Sequence, residues 1–133
     1  MNKVRCLRRR ESFVLDKEDE KVVSLFAELG MPKNQSRTLM YISQFDECRS
    51  ADVERGADLR QPEVSVAIHE LRKKGWIKRR IQKKENERGR PIHIYSSAMA
   101  LPEIVKSFEE EKLNEIETVK NDITELKNLL GVK

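Results

Sequence analysis

The side chains with the clearest chemistry lie in a helix-forming segment, residues 59–75, and in the basic segment that follows it. Gln61 and Ser65 fall near the start of the helical segment, where a glutamine can pair with an adenine edge and a serine can donate or accept. Pro62 and Val66 offer apolar contacts to a thymine methyl group. The lysines and arginines that follow can neutralise phosphates. These residue types predict contact with duplex DNA, with the helix in a major groove.

The candidate DNA-binding residues come from both segments. They are Arg60, Gln61, Pro62, Glu63, Ser65, Val66, His69, Arg72, Lys73, Lys78, Arg80, Lys83, Lys84, Arg88, Gly89 and Arg90. Glu63 could accept from a cytosine amine or simply repel phosphate. Arg88 or Arg90 could enter a minor groove, because narrow A·T-rich grooves attract arginine. The alternative is that all of these side chains are solvated on an ordinary surface.

Within residues 59–75, the apolar side chains recur at helical spacing. Four of them fall within about 100° of one another and should be buried: Val64, Ala67, Ile68 and Leu71. The opposite face should be exposed, and its centre is formed by Pro62, Val66, His69 and Lys73. Gly75 can take the left-handed conformation that ends a helix. The segment therefore predicts a short helix over residues 61–74.

The first supporting helix is predicted to begin after Asp16 and to end at Gly30. Its first turn is acidic, which suits the positive end of the helix dipole. Its apolar residues recur at helical spacing and form the expected buried face: Val22, Leu25, Phe26 and Leu29.

Two further helices are predicted before residue 59. One begins at Pro32, and its expected inward residues are Leu39, Met40, Ile42 and Phe45. The other is very short, residues 51–56, with Ser50 as its N-cap. A short helix, a tight turn and a second helix form the helix-turn-helix pattern.

Residues 76–83 and 91–95 alternate well enough to form the two strands of a hairpin with a cationic tip. The expected inner face is Ile77, Ile81, Ile92 and Ile94. Trp76 is expected to be a core anchor at the corner between helix and strand.

Charge is distributed unevenly along the chain, although the net charge is only +4. Residues 59–100 carry +7 and residues 1–15 carry +4, whereas residues 16–58 carry −4 and residues 101–133 carry −3. Positive charge concentrated on one module favours a polyanionic partner. Residues 1–15 are interpreted as a basic N-terminal arm.

Residues 101–130 show one long helical pattern. Five apolar residues in it step by 3, 4, 3 and 4 positions: Ile116, Val119, Ile123, Leu126 and Leu130. This spacing is that of a coiled-coil seam, and one helix cannot bury such a seam alone. The pattern predicts a homodimer, and the alternative is a helix that braces its own domain.

Several classes of site lack support in the sequence. Cys6 and Cys48 indicate neither a disulfide framework nor a zinc site, so no metal or cofactor is expected. A redox role for Cys48, next to Arg49, is a minor alternative. The sequence contains no nucleophile with a nearby base, so an enzyme is not expected. It also contains no long apolar run and no leader pattern, so neither a membrane protein nor a secreted protein is expected. The expected location is the cytoplasm.

Residues 59–65 followed by 71–77 resemble the recognition helix of winged helix-turn-helix regulators of the ArsR, MarR and TrmB type. Residues 29–37 are similar to the turn before the second helix of small archaeal TrmB-like proteins, and Gly89-Arg90-Pro91 with Tyr95 resembles their wing. Arg60 stands where relatives have a capping serine or threonine, and Asp58 is the alternative cap. The metal ligands of ArsR relatives and a sensor domain are missing, so no small-molecule effector is implied.

The resemblance implies a mainly α-helical fold with a small β-hairpin. We expect a winged helix-turn-helix domain over residues 16–100 and a dimerisation helix over 101–133. The expected function is that of a dimeric, sequence-selective regulator on an inverted-repeat operator. The alternatives are a sequence-tolerant architectural DNA binder and a protein-interaction module of a transcription assembly.

Overall fold

The computed structural model describes residues 14–82 and 91–132 of the chain. The elements, in order, are α1 Lys17–Glu28, α2 Lys33–Ile42, α3 Ser50–Ala57, α4 Gln61–Lys73, β1 Ile77–Gln82, β2 Ile92–Ser97 and α5 Leu101–Leu130. This architecture confirms the predicted mainly helical class with a small hairpin. The chain divides into two compact units between Ala100 and Leu101.

Helix α1 begins where the sequence indicated but buries a different face. The Asp16 side chain accepts from the backbone N–H of Asp19, and the Asp19 carboxylate accepts from that of Asp16. The buried residues are Asp19, Val23 and Phe26, whereas Leu25 and Leu29 are exposed, so the predicted inward face was wrong for these two leucines. The reason is that Asp19 also accepts a hydrogen bond from the Gln44 amide at 2.9 Å, which turns this polar position inward.

Helices α2 and α3 approach each other closely. Leu39, Met40 and Ile42 are buried, which confirms the expected inward face of α2 for these three residues. Phe45 is also buried, but it lies beyond the end of α2 at Ile42. Gly56 in α3 lies against the ring of Tyr41, and a β-carbon at this position would fall 1.9 Å from a ring carbon. A glycine is therefore required where these two helices approach each other.

Helix α3 is slightly longer than the predicted 51–56. Ser50 is its first residue, and Arg49 occupies the cap position, so the prediction of Ser50 as N-cap was wrong. The Asp52 carboxylate accepts from the Arg49 backbone N–H at 2.9 Å and satisfies this end of the helix.

The hairpin is antiparallel, with Arg79 opposite Tyr95 and Arg80 opposite Ile94. Ile77 and Ile94 are buried, but Ile81 is 53% exposed. The prediction that the four isoleucines share one inner face was therefore wrong. In this register Ile77 and Ile81 lie on one face of the pair, and Ile92 and Ile94 lie on the other.

The base of the hairpin is tied to the helical core. Trp76 is fully buried, which confirms its predicted role as a core anchor. Cys48, predicted in a loop, is also buried and forms a β-bridge with Tyr95 through two backbone hydrogen bonds of 3.0 and 2.8 Å. Burial of the Cys48 thiol works against a redox role, which requires access to oxidant.

The second unit contains helix α5, which has 30 residues and is followed by Gly131 at a φ of +70°. All five residues of the predicted seam are exposed in the single chain, from 48% at Ile123 to 68% at Leu130. Leu113, one turn before the seam, is exposed as well. Over the described ranges, no helix is long and apolar enough to cross a membrane.

Candidate nucleic-acid interface

Helix α4 has the two faces that its sequence predicted. Val64, Ala67, Ile68 and Leu71 are buried. The exposed positions are Gln61, Pro62, Ser65, Val66, His69 and Lys73, and Val66 is 64% exposed. An apolar side chain that is this exposed and has polar neighbours is typical of a surface that contacts a partner. The buried face of α4 packs mainly on α2 and α3.

The start of α4 carries no conventional cap. The Glu63 carboxylate accepts from the Arg60 backbone N–H at 2.9 Å. No side chain caps the first turn, and Asp58 instead ends α3 in the left-handed conformation at a φ of 57°. The suggestion that Asp58 caps α4 was therefore wrong. Uncapped N–H groups at a helix start favour an anion nearby.

A cleft of about 340 Å³ lies between α4 and the hairpin. Its walls come from the start of α3, the outer face of α4 and one face of both strands. The lining residues are Ser50, Gln61, Ser65, Ile68, His69, Arg72, Arg79, His93 and Tyr95. None of them is a carboxylate. The cleft thus combines hydrogen-bonding groups with two guanidinium groups and two imidazoles.

The two arginines of this cleft are free to bind an anion. Within the described ranges, the side chains of Arg72 and Arg79 make no hydrogen bond and no ion pair. Two other arginines are occupied: Arg37 binds Glu20 and the carbonyl of Ala57, and Arg55 binds Asp52 at 3.0 Å. A guanidinium without a carboxylate partner is available to bind a phosphate, to which it can donate two parallel hydrogen bonds.

Arg80 is the counterexample on the other face of the hairpin. Its Nε and one terminal nitrogen donate to the two carboxylate oxygens of Glu47, both at 2.9 Å. The hydrogen bond from Arg80 to Glu47, and then the attraction of the two charges, raise the pKa of Arg80 above its ordinary value. A second cleft is lined by Lys78, Arg79 and Arg80 together with Asp46 and Glu47.

The candidate residues from the sequence are therefore divided among several places. The cleft brings together Gln61, Ser65, His69 and Arg72. Arg60 and Glu63 line a separate cleft with Glu20, Asp58 and Arg37. Lys78 and Arg80 lie on the opposite face of the hairpin. Lys83, Lys84, Arg88, Gly89 and Arg90 lie outside the described residues.

Five residues that line the cleft were not among the candidate DNA-binding residues: Ser50, Ile68, Arg79, His93 and Tyr95. The alternation of β1 could have indicated Arg79, because residues two apart in a strand share a face and Ile77 was expected to be buried next to α4. Ser50 and His93 gave no comparable signal, since their positions depend on how α3 and β2 pack.

A metal centre has no ligand set in the described part of the chain. No three His, Cys, Asp or Glu side chains come together there. The two histidines share their cleft with arginines, whose positive charge opposes a bound cation.

Comparison with known proteins relates this geometry to a family of regulators. Residues 29–88 match the model of the MarR family. The fold is similar to a possible transcriptional regulator from Methanosarcina mazei Go1, with a TM-score of 0.60 and 14% identity over 80% of this chain and 86% of that one. No curated protein matches this sequence.

A second solved structure belongs to TrmBL2, described as an archaeal chromatin protein with a novel mode of DNA binding. The TM-score is 0.54, with 19% identity over 85% of this chain. The present chain spans only 41% of the TrmBL2 chain. The family match and these neighbours confirm the expected architecture: the chain has the winged helix-turn-helix fold of MarR-type and TrmB-like regulators, with a long C-terminal helix.

Proposed function

We propose that this chain is a transcription regulator that binds double-stranded DNA in the cytoplasm as a homodimer. The observation that carries the proposal is the cleft between α4 and the hairpin. Arg72 and Arg79 face it without a carboxylate partner, and no acidic side chain lines it. Such a surface attracts the phosphates of the DNA backbone, and no carboxylate in the cleft repels them.

Sequence selectivity is assigned to the exposed face of α4. Gln61 and Ser65 lie at its start and line the cleft, so their polar groups face the same space as the free arginines. Val66 is exposed and offers an apolar contact to a thymine methyl group. Phosphate contacts would fix the register of the protein, while these side chains would distinguish bases.

The hairpin is assigned to the DNA backbone and the minor groove. Arg79 in β1 supplies the contact nearest α4. The five candidates between β1 and β2, Lys83, Lys84, Arg88, Gly89 and Arg90, extend the basic charge of the hairpin in the sequence. Lys78 would add to the positive field from the other face, where Glu47 offsets the charge of Arg80.

We assign the homodimer interface to the apolar seam of α5. Five apolar side chains, Ile116 to Leu130, remain about half exposed in the single chain, and an exposed stripe of this length favours pairing with a second copy. A two-fold dimer would bind an inverted repeat.

Sedimentation of two matched variants tests this assignment. Ile123→Glu places a charge in the seam and should convert the dimer to a monomer at micromolar concentration. Leu129→Glu, about 100° around the helix from Leu130, should leave the dimer intact. A monomeric parent protein would refute the assignment.

Selection of bound fragments from a random DNA library tests the function itself. A regulator should enrich one motif with two-fold symmetry. Its affinity for that motif should exceed its affinity for random duplex by about 10³-fold or more. Failure to bind any duplex at low salt would end the proposal and favour a protein-interaction module.

Sequence-tolerant binding is the second candidate. It is supported by Arg72 and Arg79, whose side chains have no carboxylate partner, because contacts to phosphate carry no sequence information. TrmBL2, a neighbour in fold, is described as a chromatin protein. Library selection without an enriched motif, together with nearly equal affinities for all duplexes, would support this candidate.

A further inference from the structure

Both histidines of the sequence, His69 in α4 and His93 in β2, line the cleft between α4 and the hairpin. They are 24 positions apart in the sequence, and only the packing of the hairpin beside α4 brings them to one space. Both side chains are exposed. Neither imidazole ring makes a hydrogen bond or an ion pair within the described ranges, so the ring nitrogens are available.

The groups that face the histidines come from four elements. They are Ser50 of α3, Gln61, Ser65 and Arg72 of α4, Arg79 of β1 and Tyr95 of β2. The rings of His93 and Tyr95 meet edge to face, with their centres 6.4 Å apart. No carboxylate is among these groups, so no anion of the protein itself lines the cleft to balance an added positive charge.

Protonation changes what an imidazole offers to a phosphate. A neutral ring has one N–H donor and one acceptor nitrogen, whereas a protonated ring has two donors and a positive charge. Hydrogen bonds between a charged donor and a phosphate are roughly twice as strong as neutral ones. Histidine ordinarily changes its charge between about pH 5 and pH 8.

We infer that the cleft is a proton-dependent phosphate site, in which Arg72 and Arg79 hold a DNA phosphate and His69 and His93 add donors when protonated. This inference rests on the proposed DNA-binding function. A bound phosphate compensates the positive charge that the imidazolium groups add beside the guanidinium groups. Binding DNA therefore takes up protons, and acidification strengthens binding.

Titration of DNA affinity against pH tests this inference. A fluorescein-labelled duplex is titrated with the full chain at constant ionic strength from about pH 5.5 to 8.5, the range that brackets histidine titration. The duplex is the selected motif, or a random 30-mer if no motif is enriched. For the parent protein, affinity should rise as the pH falls across this range, by at most about tenfold per pH unit for each proton taken up.

The matched variant is His69→Gln combined with His93→Gln, because glutamine keeps neutral hydrogen-bonding groups but does not titrate. This double variant should bind DNA with little dependence on pH. The single variants should each lose part of the slope. Lys73→Gln removes a cation of α4 that does not line the cleft and that pairs with Glu70 at 3.8 Å, so this variant should keep the slope of the parent.

The outcomes separate this inference from the proposed function. A parent protein that binds DNA equally from pH 5.5 to 8.5 overturns proton dependence and leaves DNA binding intact. A double variant that keeps the full slope also overturns it, because the protons then belong to other groups. Absence of DNA binding at every pH removes the proposed function itself. Thermal unfolding of each variant at each pH establishes that loss of slope is not loss of fold.

Discussion

Arg79 and Arg80 are neighbours in β1 but face different chemistry. Arg79 lines the cleft beside α4, which contains no carboxylate. It also borders the second cleft, with Asp46 and Glu47, but its guanidinium forms no ion pair with either of them. Arg80 points to the opposite face, where Glu47 accepts two of its N–H groups. The comparison teaches that the number of cations in a basic segment says little about binding, because what matters is which cations remain without a partner.

Varying the salt concentration tests the comparison between free and paired arginines, and it should produce the largest change in DNA affinity. If free cations such as Arg79 carry DNA binding, affinity should fall by about three orders of magnitude between 50 and 200 mM salt for about six phosphate contacts. Fluorescence anisotropy across this range measures the slope. A flat response would show that phosphate neutralisation is not the source of affinity, and the distinction between the two arginines would then lose its functional meaning.

Gly56→Ala tests the scaffold on which the comparison depends. Ser50 of α3 lines the cleft, and α3 keeps its position because Gly56 fits against Tyr41. The added methyl group has no space, and such overpacking costs about 1–3 kcal/mol or more. Urea unfolding should show this loss.

Arg55→Ala is the control in the same helix. Its side chain is exposed and paired only with Asp52 at the surface, so the change in stability should stay within about 0.5 kcal/mol. Equal stability of the Gly56→Ala variant and the parent would contradict the close contact between α3 and Tyr41.

Arg79→Gln and Arg80→Gln compare the two neighbours directly. Loss of Arg79 should weaken DNA binding about tenfold, which is the size of one hydrogen-bonded contact to a charged group, and lower the salt slope by about 1. Loss of Arg80 should have an effect of less than about threefold, because a phosphate would first have to displace Glu47. Reversed effects would show that Glu47 releases Arg80 when DNA binds.

Gln61→Ala tests whether, in the same cleft, the arginines contribute affinity while Gln61 contributes base selectivity. Overall affinity should change least in this series, by less than about threefold on random duplex. Preference at one base pair should weaken by about 1–3 kcal/mol, the discrimination of one bidentate contact. Competition between the selected motif and its single-base variants measures this preference, and an unchanged preference would remove Gln61 from base contact.

Local patterns predicted much of the fold. The buried stripe of α4 follows from its helical period, and the end of that helix follows from Gly75, which adopts a φ of +82°. These features depend on residues within a few turns of one another, where period and backbone preference decide the outcome. The exposed seam of α5 was predictable for the same reason.

Features that depend on distant residues were not predictable from local patterns. Helix α1 buries Asp19 instead of Leu25 because Gln44, 25 positions away, donates to that carboxylate. Glu63 binds the start of its own helix, although its residue type fits a contact to cytosine equally well. The rule of hydrophobic spacing contains no information on such polar partners.

The sequence alone determined the helical and strand segments, the apolar faces of α4 and α5 and the basic character of the hairpin, because these properties follow from local period and composition. Only the tertiary structure decided which cations are free. It placed Glu47 beside Arg80, 33 positions away, and it brought His69 and His93 into one cleft with Arg79. The physical reason is that an ion pair or a binding cleft depends on distance in space, which the packing of α3, α4 and the hairpin sets.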